Sequence, residues 1–389
     1  MLFFKQFAII ANMIIYKRDI EENIEELLFK KRAILIFGPR QAGKTTLAKK
    51  ILEKHKDLNN NLDAYFNCDT TVVRNYFKLG DPELLKELVG TRKIVVFDEA
   101  QTIQNIGKIL KVFIDTYPEV QIITTGSSSF DLANKINEPL TGRTFEFILY
   151  PLSLSEIKDS QKVDIEDIHE FIRLGTYPAI VSEKNILVKE NLLKNITTNY
   201  LYKDIYIFEA IKNPMLFENL IKSLAYQIGQ EVSINELASH LKTSRVNVEK
   251  YLRLLEQSYI IKRINSYAKN GRNELKKSFK IFFIDLGIRN AVLGKIAGAL
   301  EQRDDKGSLF ENFVFLELLK KSSLEVFPKQ IYFWRTRDQK EIDFLEIQND
   351  KIKAYECKWT SQEVKFTTFL NLYPGSETKV VTPKDFLFE

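Results

Sequence analysis

Histidine and cysteine are scarce in this sequence, and neither residue type forms a cluster. The histidines are His55, His169 and His240, and the cysteines are Cys68 and Cys357. Because the three histidines lie far apart along the chain, a multi-histidine metal site or a Ser-His-Asp hydrolase is a poor interpretation. Two cysteines are too few for a disulfide framework, which is typical of a protein in the reducing cytosol.

The sequence also lacks a long apolar run and a large net charge. The apolar stretch at residues 1–15 is shorter than the roughly 20 residues of a membrane helix, and it lacks the features of a signal peptide. We therefore expect a cytoplasmic protein without a membrane partner. Residues 1–12 are either an extension ahead of the true start or a first element packed on the body. The net charge of +5 over 389 residues excludes a uniformly basic coat, so any nucleic-acid surface must be local.

Short apolar runs alternate with helical patterns in the first part of the chain. Strands are predicted at 33–37, 64–68, 93–100 and 120–127. Runs rich in isoleucine and valine, with helices between them, are typical of an α/β fold with a mostly parallel sheet covered on both faces. A linker is predicted at Lys306–Ser308. The predicted segments are an α/β core at 13–150, a helical region at 151–230, a compact helical region with a hairpin at 231–300, and a second α/β segment at 301–389.

A nucleotide-binding loop is predicted directly after the first strand. The segment from Gly38 to Thr45 matches the pattern G-x-x-x-x-G-K-[ST] at every fixed position, between a strand and a helix. Glycines let backbone N–H groups surround phosphate oxygens, and the helix N-terminus adds its dipole. We expect Lys44 to reach the β- and γ-phosphates of ATP and Thr45 to bind Mg²⁺. The expected nucleotide-binding residues are Gly38, Pro39, Arg40, Gln41, Ala42, Gly43, Lys44, Thr45, Thr46, Thr125 and Ser127.

Two acidic residues end the third predicted strand. Asp98 and Glu99 follow a buried run at the carboxyl edge of the sheet, where open α/β folds bind ligands. We expect Asp98 to hold Mg²⁺, directly or through water, and Glu99 to polarise the attacking water. Thr125 and Ser127 end the next strand and either sense the γ-phosphate or only cap that strand. Arg143 follows on a loop, where it either reaches the γ-phosphate of a neighbouring subunit or forms a surface salt bridge.

These segments, taken in order, resemble a group of prokaryotic AAA+ ATPases. The resemblance implies an AAA+ ATPase core at 13–150, a helical lid or linker at 151–230, a winged helix-turn-helix at 231–300 and a domain similar to restriction endonucleases at 301–389. It covers the chain from about Tyr16 onward and rests on Gly38 to Thr45, Ile94 to Gln101, Thr125 to Ser127, Leu140 to Arg143, Tyr150 to Ser153, Gly175 to Pro178, Tyr200 to Asp204, Phe283 to Gly287 and Gly307 to Asn312.

A DNA-reading module is predicted between residues 233 and 284. Ser233 and Glu236 form a capping-box pattern ahead of one helix, a second helix runs from Arg245 to Gln257, and an Asn-Gly turn at 270–271 predicts a hairpin. This is the order of a winged helix-turn-helix, which also occurs as a plain packing module. Residues 242–280 contain eleven Lys or Arg and three Glu, a local charge of +8. The expected phosphate contacts are Lys242, Arg245, Lys269, Arg272, Lys276 and Lys277.

A metal-dependent nuclease site is predicted in the last segment, whose order of helix, three strands, helix and strand is that of the restriction-endonuclease fold. The first helix is predicted at Glu311–Lys321, and the three strands at Gln330–Arg335, Glu341–Ile347 and Ile352–Trp359. Asp343 on one strand and Glu356 on the next are expected to hold Mg²⁺ or Mn²⁺, with Glu311 completing the shell. Lys358 is expected to orient water or offset developing charge. The pattern resembles the D…(D/E)-x-K signature of that nuclease superfamily. A domain of this type also binds DNA without cutting it, so cleavage stays open.

Two functions of different classes follow from these expectations. In the first, a ring or other closed oligomer of identical chains hydrolyses ATP to remodel or process DNA, including structured or branched DNA. In the second, a regulatory ATPase switch acts on protein partners, and the C-terminal domain is only an interaction module. The arrangement of Asp343, Glu356 and Lys358 beside a basic groove would favour the first function.

Overall fold

A computed structural model of the chain describes residues 14–78, 80–126, 140–199, 201, 211, 213–268, 279–336 and 338–388. The expected features at residues 1–12, at Ser127, and at Lys269, Arg272, Lys276 and Lys277 of the predicted hairpin lie outside the described residues. The described chain forms two compact units. One contains residues 18–151 with residues 257–259, and the other contains residues 152–256 and 260–388 with residues 14–17.

The first unit is built on a five-stranded parallel sheet with the strand order β2-β3-β4-β1-β5. Strands β1, β3 and β4 are buried along their whole length, as expected for apolar strands at the centre of a parallel sheet. The elements are α1 Ile20–Leu27, β1 Ala33–Phe37, α2 Lys44–Lys54, β2 Tyr65–Asn67, α3 Thr71–Asn75, α4 Pro82–Val89, β3 Ile94–Asp98, α5 Ile106–Thr116, β4 Gln121–Thr125 and β5 Thr144–Ile148. The predicted parallel α/β core is therefore present.

The second unit begins with helices and continues through two sheets. The helices that precede the sheets are α6 Leu154–Lys158, α7 Ile165–Leu174, α8 Pro178–Ser182, α9 Ile186–Thr197 and α10 Pro214–Tyr226. A three-stranded antiparallel sheet, in the order β6-β8-β7, follows with its helices. Its elements are β6 Glu231–Val232, α11 Ile234–His240, α12 Arg245–Gln257, β7 Ile261–Asn265, β8 Phe279–Phe283 and α13 Leu286–Val292.

The rest of the second unit contains a four-stranded sheet in the order β12-β11-β10-β9. Strands β9, β10 and β11 are antiparallel, and β12 runs parallel to β11. The elements are α14 Lys306–Ser322, β9 Gln330–Arg335, β10 Glu341–Gln348, β11 Lys351–Cys357, α15 Thr367–Leu372, β12 Glu377–Val381 and α16 Asp385–Phe388. The predicted linker at Lys306–Ser308 is wrong, because those residues form the first turn of α14.

The two sheets of the second unit share a core. Ser266, just after β7, forms a parallel bridge with Phe333 of β9, and the N–H of Tyr267 donates to the Phe333 carbonyl at 2.7 Å. The Phe282 ring of β8 stacks on Phe315 of α14, with their centroids 4.6 Å apart, and also contacts Phe344 of β10. Burial of these rings joins residues 231–292 and the C-terminal sheet in one folded unit. Among the described helices, none is long and apolar enough to cross a bilayer.

Candidate functional site

The predicted phosphate loop lies between β1 and α2, at the carboxyl edge of the parallel sheet. Gly38 has φ of 142°, and a Cβ at this position would lie 2.2 Å from the carbonyl oxygen of Leu149. Gly43, with φ of 101°, precedes the first residue of α2. Only glycine satisfies both the backbone conformation and the close approach at Gly38. The loop is thus fixed by the end of β5 as well as by its own sequence.

Lys44 is buried inside this loop. Its ammonium donates to the carbonyl oxygens of Gly38 at 2.9 Å and Pro39 at 2.8 Å. Burial lowers the pKa of Lys44 to about 8, although the charges of Glu99 and Asp98 oppose that shift. A buried ammonium beside two carboxylates, hydrogen-bonded to loop carbonyls, is the arrangement that a bound polyphosphate would stabilise further.

Asp98, at the end of β3, accepts hydrogen bonds from three hydroxyl groups. The Thr45 hydroxyl donates to its Oδ2 at 2.9 Å, the Tyr65 hydroxyl donates to the same oxygen at 2.5 Å, and the Thr125 hydroxyl donates to Oδ1. Burial, followed by the hydrogen bond to Asp98, raises the pKa of Tyr65 above its ordinary value. Strands β2, β3 and β4 are neighbours, so Asp98 at the carboxyl end of β3 lies beside Thr125 at the carboxyl end of β4 and within reach of Tyr65, the first residue of β2. Thr45 comes from the start of α2.

Glu99 follows Asp98 in a left-handed backbone conformation, with φ of 54°. Its N–H donates to the Thr125 hydroxyl at 3.2 Å, and its carboxylate accepts from the side chain of Gln101. The chain therefore turns away from the strand at Glu99, and its side chain is held by a neighbour two residues later. This places a second carboxylate next to Asp98, as the sequence predicts.

The residues at this edge fit a magnesium nucleotide. The hydroxyl of Thr45 and the carboxylate of Asp98 are hard oxygen donors already 2.9 Å apart, which is the donor type that Mg²⁺ prefers. The backbone of Gly38 to Thr45 forms the concave loop that a phosphate chain requires. Of the other expected contacts, Arg40, Gln41, Ala42 and Thr46 belong to this loop or to the first turn of α2.

Arg18 is a residue of this site that the sequence does not reveal. Its buried guanidinium donates to the carbonyl oxygens of Ala42 and Tyr150, each at 2.6 Å. One fork of donors thus ties the phosphate loop to the segment after β5. A single arginine ahead of α1 has no motif around it. Tyr65 was also missed, although its position at the start of a strand beside β3 is a signal that pairing of the predicted strands could supply.

Arg143 lies at the other end of the sheet from the phosphate loop of its own chain. It directly precedes β5, and β5 pairs in parallel with β1 from Ala33↔Thr144 to Phe37↔Ile148. Its guanidinium makes a bidentate ion pair with Asp115, at 2.7 and 3.0 Å. The surface salt bridge expected as one alternative is present, and a role toward a neighbouring chain stays a prediction.

The segment of residues 231–292 presents the N-terminal end of α12 to solvent. Lys242, Arg245, Val246 and Asn247 are exposed, and Val246 keeps 76% of its accessible surface. The Ser244 hydroxyl accepts from the N–H of Asn247 at 3.2 Å and begins the helix. Two of the six predicted phosphate contacts, Lys242 and Arg245, therefore lie together on an exposed surface with polar neighbours.

The four predicted residues of the C-terminal site lie in one side-chain cluster. We call the carboxyl groups of Glu311, Glu341, Asp343 and Glu356 the carboxylate cluster. Asp343 on β10 and Glu356 on β11 are neighbours, since Phe344 pairs with Tyr355. Asp343 Oδ2 accepts from the N–H of Cys357 at 2.7 Å. Lys358 donates to Glu356 at 2.8 Å.

Burial raises pKa values within the carboxylate cluster. It raises the pKa of Glu311 to about 8, with Lys280 opposing and the Asp343 charge adding to the shift. Burial and then the charge of Glu356 raise the pKa of Asp343 to about 6. Within the described residues, no group of three or more His, Cys, Asp or Glu side chains is arranged to hold a metal ion. The predicted metal role of Asp343 and Glu356 stays a prediction.

The site at the edge of the parallel sheet defines a class of protein, the P-loop nucleotide-binding proteins. Comparison with known families makes this more specific. Residues 30–158 match the AAA domain family, and residues 165–297 and 306–388 match two domains of unknown function (DUF8612 and DUF4143). Residues 30–158 of this chain, which contain the phosphate loop, are thus similar to AAA domains.

Similar sequences occur in bacteria and archaea. An uncharacterised protein of Mycobacterium tuberculosis is 26% identical over 398 residues, which cover 97% of this chain and 86% of that protein. An uncharacterised protein of Methanocaldococcus jannaschii is 27% identical over 382 residues, covering 92% and 82% respectively. The solved structure of a Walker-type ATPase of Pyrococcus abyssi is 16% identical, with a TM-score of 0.47, and covers 72% of this chain and 96% of that one. The sequence likeness to the two uncharacterised proteins extends well beyond residues 30–158.

Proposed function

We propose that this chain is an ATP-hydrolysing protein that acts on DNA. The observation that carries the ATPase part is the arrangement around Asp98, whose carboxylate meets the Thr45 hydroxyl beside the buried ammonium of Lys44. Bound ATP with Mg²⁺ supplies the phosphoryl group and the charge that polarises it. Lys44 binds the phosphate oxygens once it leaves the carbonyls of Gly38 and Pro39. Thr45 and Asp98 would hold the metal, and Glu99 would accept a proton from the water that attacks the γ-phosphate as ADP leaves.

The ATPase proposal is tested by separating binding from hydrolysis. The substitution Lys44→Ala should abolish ATP binding, because the loop loses its only internal ammonium. The substitution Glu99→Gln should keep ATP binding and slow hydrolysis by about 100-fold or more, as expected for loss of a general base. Glu87→Gln, an exposed change of the same kind on α4, should leave both unchanged. Undiminished hydrolysis by Glu99→Gln would remove Glu99 from the mechanism.

The DNA part of the proposal rests on α12 and the charge around it. Arg245 and Asn247, both exposed near the start of that helix, are side chains suited to guanine and adenine edges, and Lys242 and Lys250 are suited to phosphates. We propose that residues 231–300 form a winged helix-turn-helix in which α12 enters the major groove. The C-terminal domain, with restriction-endonuclease-like strand order, would contact DNA beside it.

DNA binding is tested by affinity measurements on duplex, forked, four-way and single-stranded DNA, with and without ATP. Affinity should fall steeply with salt, because phosphate contacts release counterions. Arg245→Ala should weaken binding, whereas Arg253→Ala, two turns later on the same helix and paired with Glu249, should have a small effect. No binding to any DNA at low salt would instead favour a regulatory switch that acts on protein partners.

A further inference from the structure

Lys280 is a buried ammonium in an unexpected place. It lies on β8, between the buried side chains of Phe279 and Ile281, and only 3% of its surface is accessible. Strand β8 belongs to the sheet of the helix-turn-helix region, yet the Lys280 side chain reaches the carboxylate cluster. A charged group in such a strand requires partners, since an unpaired buried charge is strongly unfavourable.

The partners of Lys280 are carboxylates of the cluster. Its ammonium lies 2.9 Å from Glu311 Oε1 and 2.5 Å from Glu341 Oε1. The ring of Phe333 covers it from another side, with its centroid 5.5 Å from Nζ. The charge of Asp343 also acts on it. Two carboxyl groups that a metal ion would otherwise join, those of Glu311 and Glu341, thus accept hydrogen bonds from the ammonium of Lys280.

A divalent metal does not fit the carboxylate cluster in this arrangement. Every carboxyl group already has an internal donor: Lys280 for Glu311 and Glu341, the Cys357 N–H for Asp343, and Lys358 for Glu356. A metal ion bound by Glu311 and Asp343 would have to approach an ammonium of the same sign inside a largely buried space. Like charges at such short range repel strongly where water is excluded.

We propose that Lys280 is the resident cation of the C-terminal domain, and that its ammonium takes the place of the divalent ion in the carboxylate cluster. The tethered ammonium competes at a high effective concentration with any free cation. With Lys280 in place the cluster takes up neither Mg²⁺ nor Mn²⁺, and the domain is held together without a metal. This inference concerns cation binding, and it holds whether or not the chain hydrolyses ATP or binds DNA.

The test is a Mn²⁺ titration of the nucleotide-free, full-length chain, followed by electron paramagnetic resonance. Lys280→Met should bind one Mn²⁺ at least about tenfold more tightly than the wild type, because the competing ammonium is gone while the oxygens remain. Adding Glu311→Gln to that variant should remove the gained site. Mn²⁺ should also raise the melting temperature of Lys280→Met and leave that of the wild type unchanged.

Lys189→Met is the matched control, since Lys189 is also a buried lysine with a carboxylate partner, Glu170, outside the cluster. It should bind Mn²⁺ as the wild type does. Equal Mn²⁺ affinity of wild type and Lys280→Met would overturn the proposal. If Lys280→Met does not fold, the Mn²⁺ titration of the wild type is compared with that of Asp343→Asn. A Mn²⁺ ion bound by the wild type and lost in Asp343→Asn contradicts the proposal, and identical titrations support it.

Discussion

At the scale of single residues, the nucleotide site depends on contacts made by side chains far apart in the sequence. Asp98 receives the hydroxyls of Thr45, Tyr65 and Thr125 from three different elements. Because each of those hydroxyls donates a hydrogen bond, the buried carboxylate of Asp98 has hydrogen-bond partners before a metal binds. Thr45 is also the expected metal ligand. The site is therefore ordered in advance of nucleotide binding, which lowers the entropy that binding must overcome.

Substitution of Arg18 tests whether the nucleotide site is ordered before the nucleotide binds. Arg18→Lys should weaken ATP binding and lower the free energy of unfolding by about 1–3 kcal/mol, because one ammonium cannot hold both carbonyl groups in the geometry of the guanidinium fork. Urea unfolding and ATP titration measure the two effects. Arg32→Lys is the control, since Arg32 is an exposed arginine that also donates to a carbonyl, that of Gly142 at 3.0 Å. Equal effects of the two substitutions would show that the fork is not specific to the phosphate loop.

The residues of the phosphate loop, Asp98 and Glu99 are predictable from the sequence because their spacing is fixed by one strand and one turn. Arg18, Tyr65 and Lys280 are not, because their roles come from packing between elements distant in the chain. Lys280 does carry a signal in hindsight. It is a single charge inside the apolar strand run Phe-Lys-Ile-Phe-Phe, and such a residue must find a carboxylate or lie at an edge.

At the scale of elements, the fully buried carboxyl group of Asp285 joins α7 to α13. It accepts hydrogen bonds from the N–H of Thr176 at 2.9 Å, just after α7, and from the N–H of Ile288 at 3.0 Å, in the first turn of α13. Gly175 and Gly287 leave the space for this approach, because a Cβ at either position would lie 2.2 Å or less from a neighbouring oxygen. The contact between α7 and α13 therefore depends on Gly175, Gly287 and Asp285.

Burial raises the pKa of Asp285 to about 6, and a pH effect on stability follows. Between the ordinary pKa of an aspartate and pH 6, the folded state binds more protons than the unfolded state. The contribution of Asp285 to stability is therefore present below that range. It is lost as the pH rises through the range. The wild type should lose up to about 3 kcal/mol relative to Asp285→Asn between pH 4 and pH 7. Urea unfolding of both proteins across this range measures the difference. A constant difference would mean that Asp285 does not titrate in this way.

Several elements of the two units are predictable from the sequence, and the exceptions have physical reasons. Strand β9 and helix α12 begin and end where the pattern places them. Helix α14 starts five residues before its predicted start at Glu311, because Lys306, Gly307 and Ser308 are weak helix formers that packing of the later turns carries into the helix. Strand β5 is not predicted, since its residues are only half-buried at the edge of the parallel sheet and lack a clear apolar run.

At the scale of the whole molecule, Arg143 makes the ring proposal testable by mixing two inactive variants. Arg143→Ala alone should hydrolyse ATP slowly, because a neighbouring phosphate loses its arginine, and Glu99→Gln alone should do the same for lack of a base. In an oligomer that contains both variants, one active site can combine the intact Glu99 of an Arg143→Ala chain with the intact Arg143 of a neighbouring Glu99→Gln chain. Steady-state hydrolysis by the mixture should therefore exceed the sum of the separate rates. A mixture no faster than that sum, or a chain that stays monomeric with ATP, contradicts a role in trans.

Asp115 supplies the control for that experiment. It holds Arg143 in a bidentate ion pair within the chain, and both side chains are partly exposed. Asp115→Ala should release the guanidinium without removing it, so hydrolysis by the homogeneous variant should not fall. A loss of activity equal to that of Arg143→Ala would instead assign the ion pair a structural role.

The stacked rings of Phe282, Phe315 and Phe344 have a consequence for how this protein can change in evolution. They come from segments that two different domain families match, and the bridge from Ser266 to Phe333 joins the same segments through the backbone. If either segment were exchanged for an unrelated domain, the aromatic rings of the other segment would be exposed to solvent. We expect the two to be inherited as a pair, so that recombination which separates them yields chains that aggregate.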